Sequence, residues 1–333
     1  MFNESYLDVE STSMHAADNE MTLIVTEDID TVQIQRRLLF TLNKIVATET
    51  DAHSLTRLGE FKISRTGAQF QECLKNLTDL KKNLCEYQQL HPTIQLFSNT
   101  LEAYNPTLNS ASDASKINCW LKVFREEAKS VKHKRRLRNF QRAASKNLKG
   151  TLYYIDLLFE RHSRLLVVRV DLSYQKAMIK NKTISTDLTR KHRKRLFKQV
   201  HTYPLFKHCL GYIWKLEYGR YKGYHYHTCF FFDGSKVRGD ILLARRIGEH
   251  WTKEVTGGQG LYFNCNAIAS AYAQSGIGHI HYTDQVKRVA LGKAITYIAK
   301  VDTAVRLLLP MRGRTFGRSE YLLRHREKRG RPR

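Results

Sequence analysis

Residues 212–234 read YIWKLEYGRYKGYHYHTCFFFDG, and no other stretch restricts the fold so tightly. Two runs rich in aromatic and β-branched residues flank a glycine-bounded turn, Gly219 to Gly223, which predicts an antiparallel hairpin. Side chains alternate along a strand, so His225 and His227 share one face while Tyr224 and Tyr226 take the other. With the loop at Gly219–Gly223, Tyr218 opposes Tyr224 and Glu217 opposes His225. Cross-strand neighbours share a face, so Glu217, His225 and His227 are expected to converge. A slip of one residue would send Glu217 to the far side. Two imidazoles and a carboxylate form a donor set for a divalent metal that leaves coordination positions open. The competing reading keeps both histidines as hydrogen-bonding members of a sheet. The alternation and the facing carboxylate favour the metal.

Charge points the same way. The 333 residues carry 56 Lys+Arg against 31 Asp+Glu, a net charge of +25. A balance this basic predicts a polyanionic partner, with nucleic acid the first choice. A membrane is the weaker candidate, because no apolar run is long enough to span a bilayer and the acidic start carries no signal-peptide pattern. The six cysteines show no C-x-x-C pair, so they read as reduced thiols of a cytoplasmic protein rather than as a zinc site.

The charge is unevenly spread: residues 1–35 contain eight acidic residues and no Lys or Arg. Residues 1–31 are therefore expected to form an acidic, disordered arm. Residues 32–148 read as a helical, basic N-terminal domain, with VQIQRRLLFTLNKIV and FQECLKNLTDLKKNLCEY at helical spacing. Its last part, KHKRRLRNFQR, is either a helix laid along phosphates or a solvated helix face. Composition changes near Gly150, which sets a second domain at 149–318 and leaves a basic, flexible tail at 319–333. In that domain LLVVRVDLSY and the hairpin predict strands, as do GLYFNCNA and GIGHIHYT. STDLTRKHRKRLFKQV and RGDILLARRIGEHWTKEVTGG predict helices. The alternation predicts an α+β sandwich with its helices mostly on one side of the sheet. Arg190, Lys191, Arg193, Lys194 and Arg195 are the candidate DNA-binding cluster. His279 and His281 also share a strand face, but without an opposed carboxylate they read as structural, or as supports for the ligands.

A helix is expected from about Asp284 to Lys300, with Leu291, Ala294, Ile295 and Ile298 as its buried stripe. Lys293, Tyr297 and Lys300 fall together on its flank at i, i+4 and i+7. Two lysines beside a tyrosine offset the charges of phenolate and phosphate, an arrangement suited to attack on a phosphodiester. Tyr212-Ile-Trp-Lys215 repeats the spacing, but on a strand its two polar groups face opposite sides.

The order of basic strand, Glu-x7-His-x-His hairpin and helix with Tyr-x-x-Lys resembles the HUH endonucleases: replication initiators, relaxases and single-strand transposases. WKLEYGRYKGYHYHTCFFFDG, ARRIGEHW, GIGHIHYTD and ITYIAKVD are similar to the inovirus-type replication initiator family, found in prophages as the YagK/YfjJ type. The resemblance covers roughly Tyr153 to Arg318. It implies a ferredoxin-like HUH core, with a central antiparallel sheet and flanking helices, following a mostly helical N-terminal region. It also implies nicking of one DNA strand at a replication origin, giving a 5′-phosphotyrosine and a 3′-hydroxyl primer for rolling-circle synthesis. On that basis His225, His227 and Glu217 would hold Mg²⁺ or Mn²⁺. Tyr297 would be the nucleophile, with Lys300 and Lys293 beside it. Asp171 stands where such enzymes carry their first motif, and is either near the metal or a base, or a strand-end cap. Tyr226 replaces an aliphatic residue between the histidines, and Lys293 occupies the place where some initiators carry a second tyrosine. With one tyrosine, strand closure needs a second protomer, a second round or another acceptor. The implied partners are single-stranded origin DNA, host helicase and polymerase, and a second copy of the chain. The alternatives are a transposase or relaxase of the same chemistry, and a non-enzymatic prophage DNA-binding regulator.

Overall fold

The computed structural model describes residues 26–56, 61–84, 88–104, 111–181, 183–219, 222–271, 275–300, 305–307 and 313–320. The acidic start up to residue 25, Cys85 and the tail from residue 321 lie outside the described residues. The N-terminal part comprises α1 (Thr26–Ala47), β1 (His53–Leu55), β2 (Phe61–Ile63), α2 (Arg65–Asn83), β3 (Gln88–Leu90), α3 (Pro92–Tyr104) and α4 (Ala111–Lys129). Its core gathers Leu38, Leu42, Phe70, Phe97, Trp120 and Phe124, the apolar positions that recur at helical spacing. Arg125 is buried there, and its guanidinium donates to the carbonyls of Ile45 (3.0 Å) and Thr50 (2.6 Å), closing the C-terminal end of α1.

Next comes α5 (Val131–Arg161), capped by Ser130, whose hydroxyl accepts from the His133 amide. The strands and helices that follow are β4 (Arg164–Tyr174), α6 (Lys176–Lys180), α7 (Thr186–Gln199), β5 (Cys209–Gly219), β6 (Gly223–Asp233) and α8 (Asp240–His250). Last are β7 (Gly260–Asn264), β8 (Gly278–His281), α9 (Gln285–Lys300), β9 (Val305–Leu307) and β10 (Phe316–Arg318). After α8 the chain makes a wider helical turn at Trp251–Val255 and leaves through Gly257 and Gly258, both at positive φ.

Among the described residues the main sheet is antiparallel, ordered β10-β5-β6-β4-β7, with β8 beside the first half of β4. The hairpin register is the one expected: Glu217 pairs with His225, Tyr218 with Tyr224 and Gly219 with Gly223. Gly223 carries φ +60°, which the turn requires and other residues resist.

Two expectations are corrected. Helices cover both faces of the sheet rather than mostly one. Leu166, Val168, Val170, Leu172, Leu216, Tyr226 and Phe230 pack against α7 and α8. The alternate residues Leu165, Val167, Ile213, Cys229, Phe231 and Ile280 pack against Tyr154, Leu158 and Phe159 of α5 and Leu291, Ile295 and Ile298 of α9. Burial on both faces is why the strands read as nearly unbroken apolar runs. In addition, the boundary expected at residues 148/149 falls inside α5, which packs through His133 and Phe140 on the N-terminal side and through Tyr154 and Phe159 on the sheet. Pairing of β3 with β9 crosses the same boundary. The five described cysteines are free thiols, as expected, with Cys73, Cys229 and Cys265 buried.

Candidate metal centre

The alternating pattern of β5 and β6 places Glu217, His225 and His227 on one face, and β4 adds Asp171 directly across from His227. This is the face on which α5 and α9 pack: Asp171 lies on it four residues beyond Val167, His227 two before Cys229, and Glu217 four beyond Ile213. One donor atom from each of Glu217, His225 and His227 lies within 4.8 Å of the other two. Glu217 Oε2 is 3.4 Å from His227 Nε2 and 3.8 Å from His225 Nε2. The far ring nitrogens are engaged elsewhere. His225 Nδ1 is 3.0 Å from the Gly223 carbonyl, and His227 Nδ1 is 2.9 Å from Asp171 Oδ2, a close ion-pair contact rather than a well-directed hydrogen bond. Metal-binding histidines are held in this way, with the distal nitrogen on a carbonyl or carboxylate and the other turned to the ion. Glu217 Oε1 is buried without a hydrogen-bond partner among the described residues, an orphan that an ion would satisfy. The donor set and the distal contacts fit a divalent cation.

Cations surround the carboxylates. Arg169 Nε lies 3.4 Å from Asp171 Oδ1, and Lys215, which is 1% exposed, stands across from His227. Burial alone would push the Asp171 and Glu217 carboxyls up. For Asp171, His227 and Arg169 more than reverse this and hold it well below the usual carboxylate range. For Glu217, chiefly His227, with His225 and Lys215, lowers it to about 2. Burial alone would likewise push His227 down, but Asp171 and Glu217 on either side raise it to about 9.

A raised imidazole stabilises the metal-free fold fully below its ordinary 6.5 and loses that contribution as the pH rises through about 9. The lowered Glu217 contributes above its ordinary 4.5 and loses that contribution as the pH falls through about 2. In chelator, the thermal-midpoint advantage of the wild type over His227→Gln is therefore expected to shrink as the pH is raised from 6.5 through about 9. An advantage that does not change with pH would contradict this account of His227.

Other expected residues are placed as follows. Leu291, Ile295 and Ile298 are buried as expected, Ala294 only partly, and Ala290 and Ala299 join them. Lys293 is exposed on α9. Tyr297 and Lys300 belong to α9, next to Ile298 and Ala299, but their side chains lie outside the described residues. His279 pairs with Leu166 and so sits on the opposite face from His225 and His227, near Asp240. His281 follows it there, with Nδ1 2.7 Å from Thr283 Oγ1. The α7 cluster also lies on that opposite face, so the structure does not bring it together with the centre. Within it, Arg190 pairs with Asp187 at 2.9 Å, and Arg193 stacks on Trp214 while donating to the Arg314 carbonyl. Lys191, Lys194 and Arg195 are exposed. Sequence reasoning missed Lys215 and Arg169. The signal was present as parity, each being a charged residue two positions before an acid in an otherwise apolar strand.

A sheet sandwiched between helices, with a His–His–Glu cluster on one face, makes this an α+β protein with a candidate divalent-metal centre. The family model of the YagK/YfjJ C-terminal domain matches residues 126–319, more than half of the chain, and the chain belongs to that family. No curated protein and no solved structure gives a significant match. The matched segment starts before α5 and contains the whole main sheet and α9.

Asp171→Asn is expected to keep the fold and lower metal affinity by about 10- to 100-fold, the usual cost of losing a carboxylate behind a ligating histidine. Titration with Mn²⁺, followed by calorimetry, checks this. Unchanged affinity would show that Asp171 does not orient His227.

Proposed function

We propose that this chain is a metal-dependent, single-strand DNA nickase and strand transferase of the HUH type, built on a ferredoxin-like core, which initiates rolling-circle replication of a phage or prophage element. The observation that carries the reading is the convergence of His225 Nε2, His227 Nε2 and Glu217 Oε2 on the sheet face that also seats α9, the helix bearing Tyr297. Glu217, His225 and His227 would hold Mg²⁺ or Mn²⁺, which when bound supplies Lewis-acid polarisation of a phosphate. Asp171 and the Gly223 carbonyl keep the two imidazoles turned toward the donor cluster.

In the reaction, the phenolate oxygen of Tyr297 attacks the scissile phosphorus. A tyrosine–phosphorus bond forms and the bond from phosphorus to the 3′ oxygen breaks. That oxygen takes up a proton to give the free 3′-hydroxyl, and the tyrosine has lost one, so no oxidant or water is consumed. Lys300 and Lys293 favour the phenolate by their charge. Later transfer of the 5′-phosphoryl group from Tyr297 to a 3′-hydroxyl would rejoin the strand by the reverse of this step.

The test is incubation with 5′-labelled and 3′-labelled single-stranded origin DNA in Mn²⁺, resolved on denaturing gels. A covalent adduct carrying the 3′-labelled fragment, absent with Tyr297→Phe, supports the reading. DNA bound but never cut, across several origins and metals, would overturn it in favour of a DNA-binding regulator.

A further inference from the structure

The first two-thirds of α5 are unusual for an exposed helix. From Ser130 to Ile155 there is no acidic residue, while Lys132, Lys134, Arg135, Arg136, Arg138, Arg142, Lys146 and Lys149 are all exposed. None of these eight makes an ion pair among the described residues. Like charges three and four residues apart repel, and cations in the first turn oppose the helix dipole, so this helix is less stable than an ordinary solvated one. A solvated surface would intersperse Glu and Asp, as the Arg245–Glu249 pair does on α8.

Five of these cations form a row. Arg135, Arg138, Arg142, Lys146 and Lys149 follow one another at intervals of three or four residues, and Tyr153, 64% exposed, continues the row. The row lies opposite the side that packs inward through Ala144, Thr151, Ile155 and Leu158. From Arg135 to Tyr153 it runs about 27 Å in a straight line, at 1.5 Å per residue.

We propose that this row is a binding track for single-stranded DNA, distinct from the metal centre, with the cations meeting successive phosphates and Tyr153 stacking on a base. A flexible single strand can follow a straight row over its full length, whereas each strand of a duplex winds away from it after a few phosphates. A cationic groove or row combined with an exposed aromatic ring is the general design of sequence-tolerant single-strand binding. The inference rests on the reading that this chain handles single-stranded DNA, but it does not need cleavage to occur.

The experiment measures anisotropy of a fluorescein-labelled oligothymidylate, and of a duplex of equal length, in EDTA across a salt series. The variant combines Arg135→Ala, Arg142→Ala, Lys146→Ala and Lys149→Ala. Its charge-matched counterpart combines Lys75→Ala, Lys176→Ala, Lys180→Ala and Lys253→Ala, exposed cations that lie outside both basic clusters. Alanine is the best helix former and removes like-charge repulsion, so the α5 variant is expected to fold, which circular dichroism checks. Losing four phosphate contacts should lower the slope of log K against log salt by about three and weaken single-strand binding by at least about tenfold. Tyr153→Ala should weaken single-strand binding roughly fivefold or more with the salt slope unchanged. An unchanged slope, an equal loss from the charge-matched counterpart, or a loss falling mainly on the duplex would overturn the inference. Because every reading is taken without metal, a protein that binds but never nicks leaves this inference standing. One that nicks while the α5 variant binds normally overturns it alone.

Discussion

Alanine at His225 is expected to lower Mn²⁺-dependent nicking by about 10²- to 10³-fold or more, the scale on which loss of one electrostatic stabiliser of a developing charge is felt. His225 contributes Nε2 to the donor cluster, and its Nδ1 contact with the Gly223 carbonyl holds that orientation. His225 is not a member of the apolar cluster beneath α9, which is made by Cys229, Phe231, Ile213 and their neighbours. Single-strand binding in EDTA should therefore stay within about twofold of wild type, since affinity for a single strand comes from phosphate contacts and stacking. A variant that nicks normally in Mn²⁺ would remove His225 from the centre. Loss of binding and cutting together, with an intact circular dichroism spectrum, would instead make the histidine pair part of the DNA contact.

Gly276→Ala is expected to unseat α9 without touching a single donor. A Cβ at this position would lie 2.6 Å from the Ala290 carbonyl oxygen and closer still to the Leu291 amide nitrogen. Both are backbone atoms of α9, so no rotamer can relieve the clash, and the helix or the loop must shift. Overpacking of this kind costs about 1–3 kcal/mol. The measurable result is a lower denaturant midpoint, together with a fall in nicking larger than the stability loss explains, because Tyr297 is carried on the displaced helix. Mn²⁺ affinity should remain near wild type, as Glu217, His225 and His227 belong to the sheet. Wild-type nicking at reduced stability would show that the position of α9 is not critical to the reaction. Reduced metal affinity would show that the shift propagates into the strands.

Much of the candidate metal centre and its surroundings was legible because the determinants are local. The hairpin turn is bounded by Gly219 and Gly223, so the register that brings Glu217 opposite His225 follows from counting residues. The helices α7, α8 and α9 and strand β4 follow from periodicity and capping, and each falls within a few residues of expectation. Asp171 was legible only as a choice between a metal-side role and a strand-end cap, since its partner His227 is 56 residues away in the chain and meets it through the β4–β6 ladder. The domain boundary at Gly150 was misread because one continuous helix, α5, carries two compositions, basic outward along its first half and apolar along its second.

By itself, then, the amino-acid order determined which side chains share a face. Parity along a strand and the length of a turn involve only neighbours, and they place His225, His227 and Glu217 together whatever the rest of the chain does. Only the tertiary structure decided what lies over each face. It set α5 and α9 on the face that carries the donor cluster, and it put α7, with Arg190, Lys191, Arg193, Lys194 and Arg195, on the reverse side along with His279 and His281. The physical reason is that both faces of this sheet are apolar away from the cluster. Hydrophobic burial is non-directional and requires every such face to be covered, while the choice of covering helix depends on shape and connection across the whole molecule.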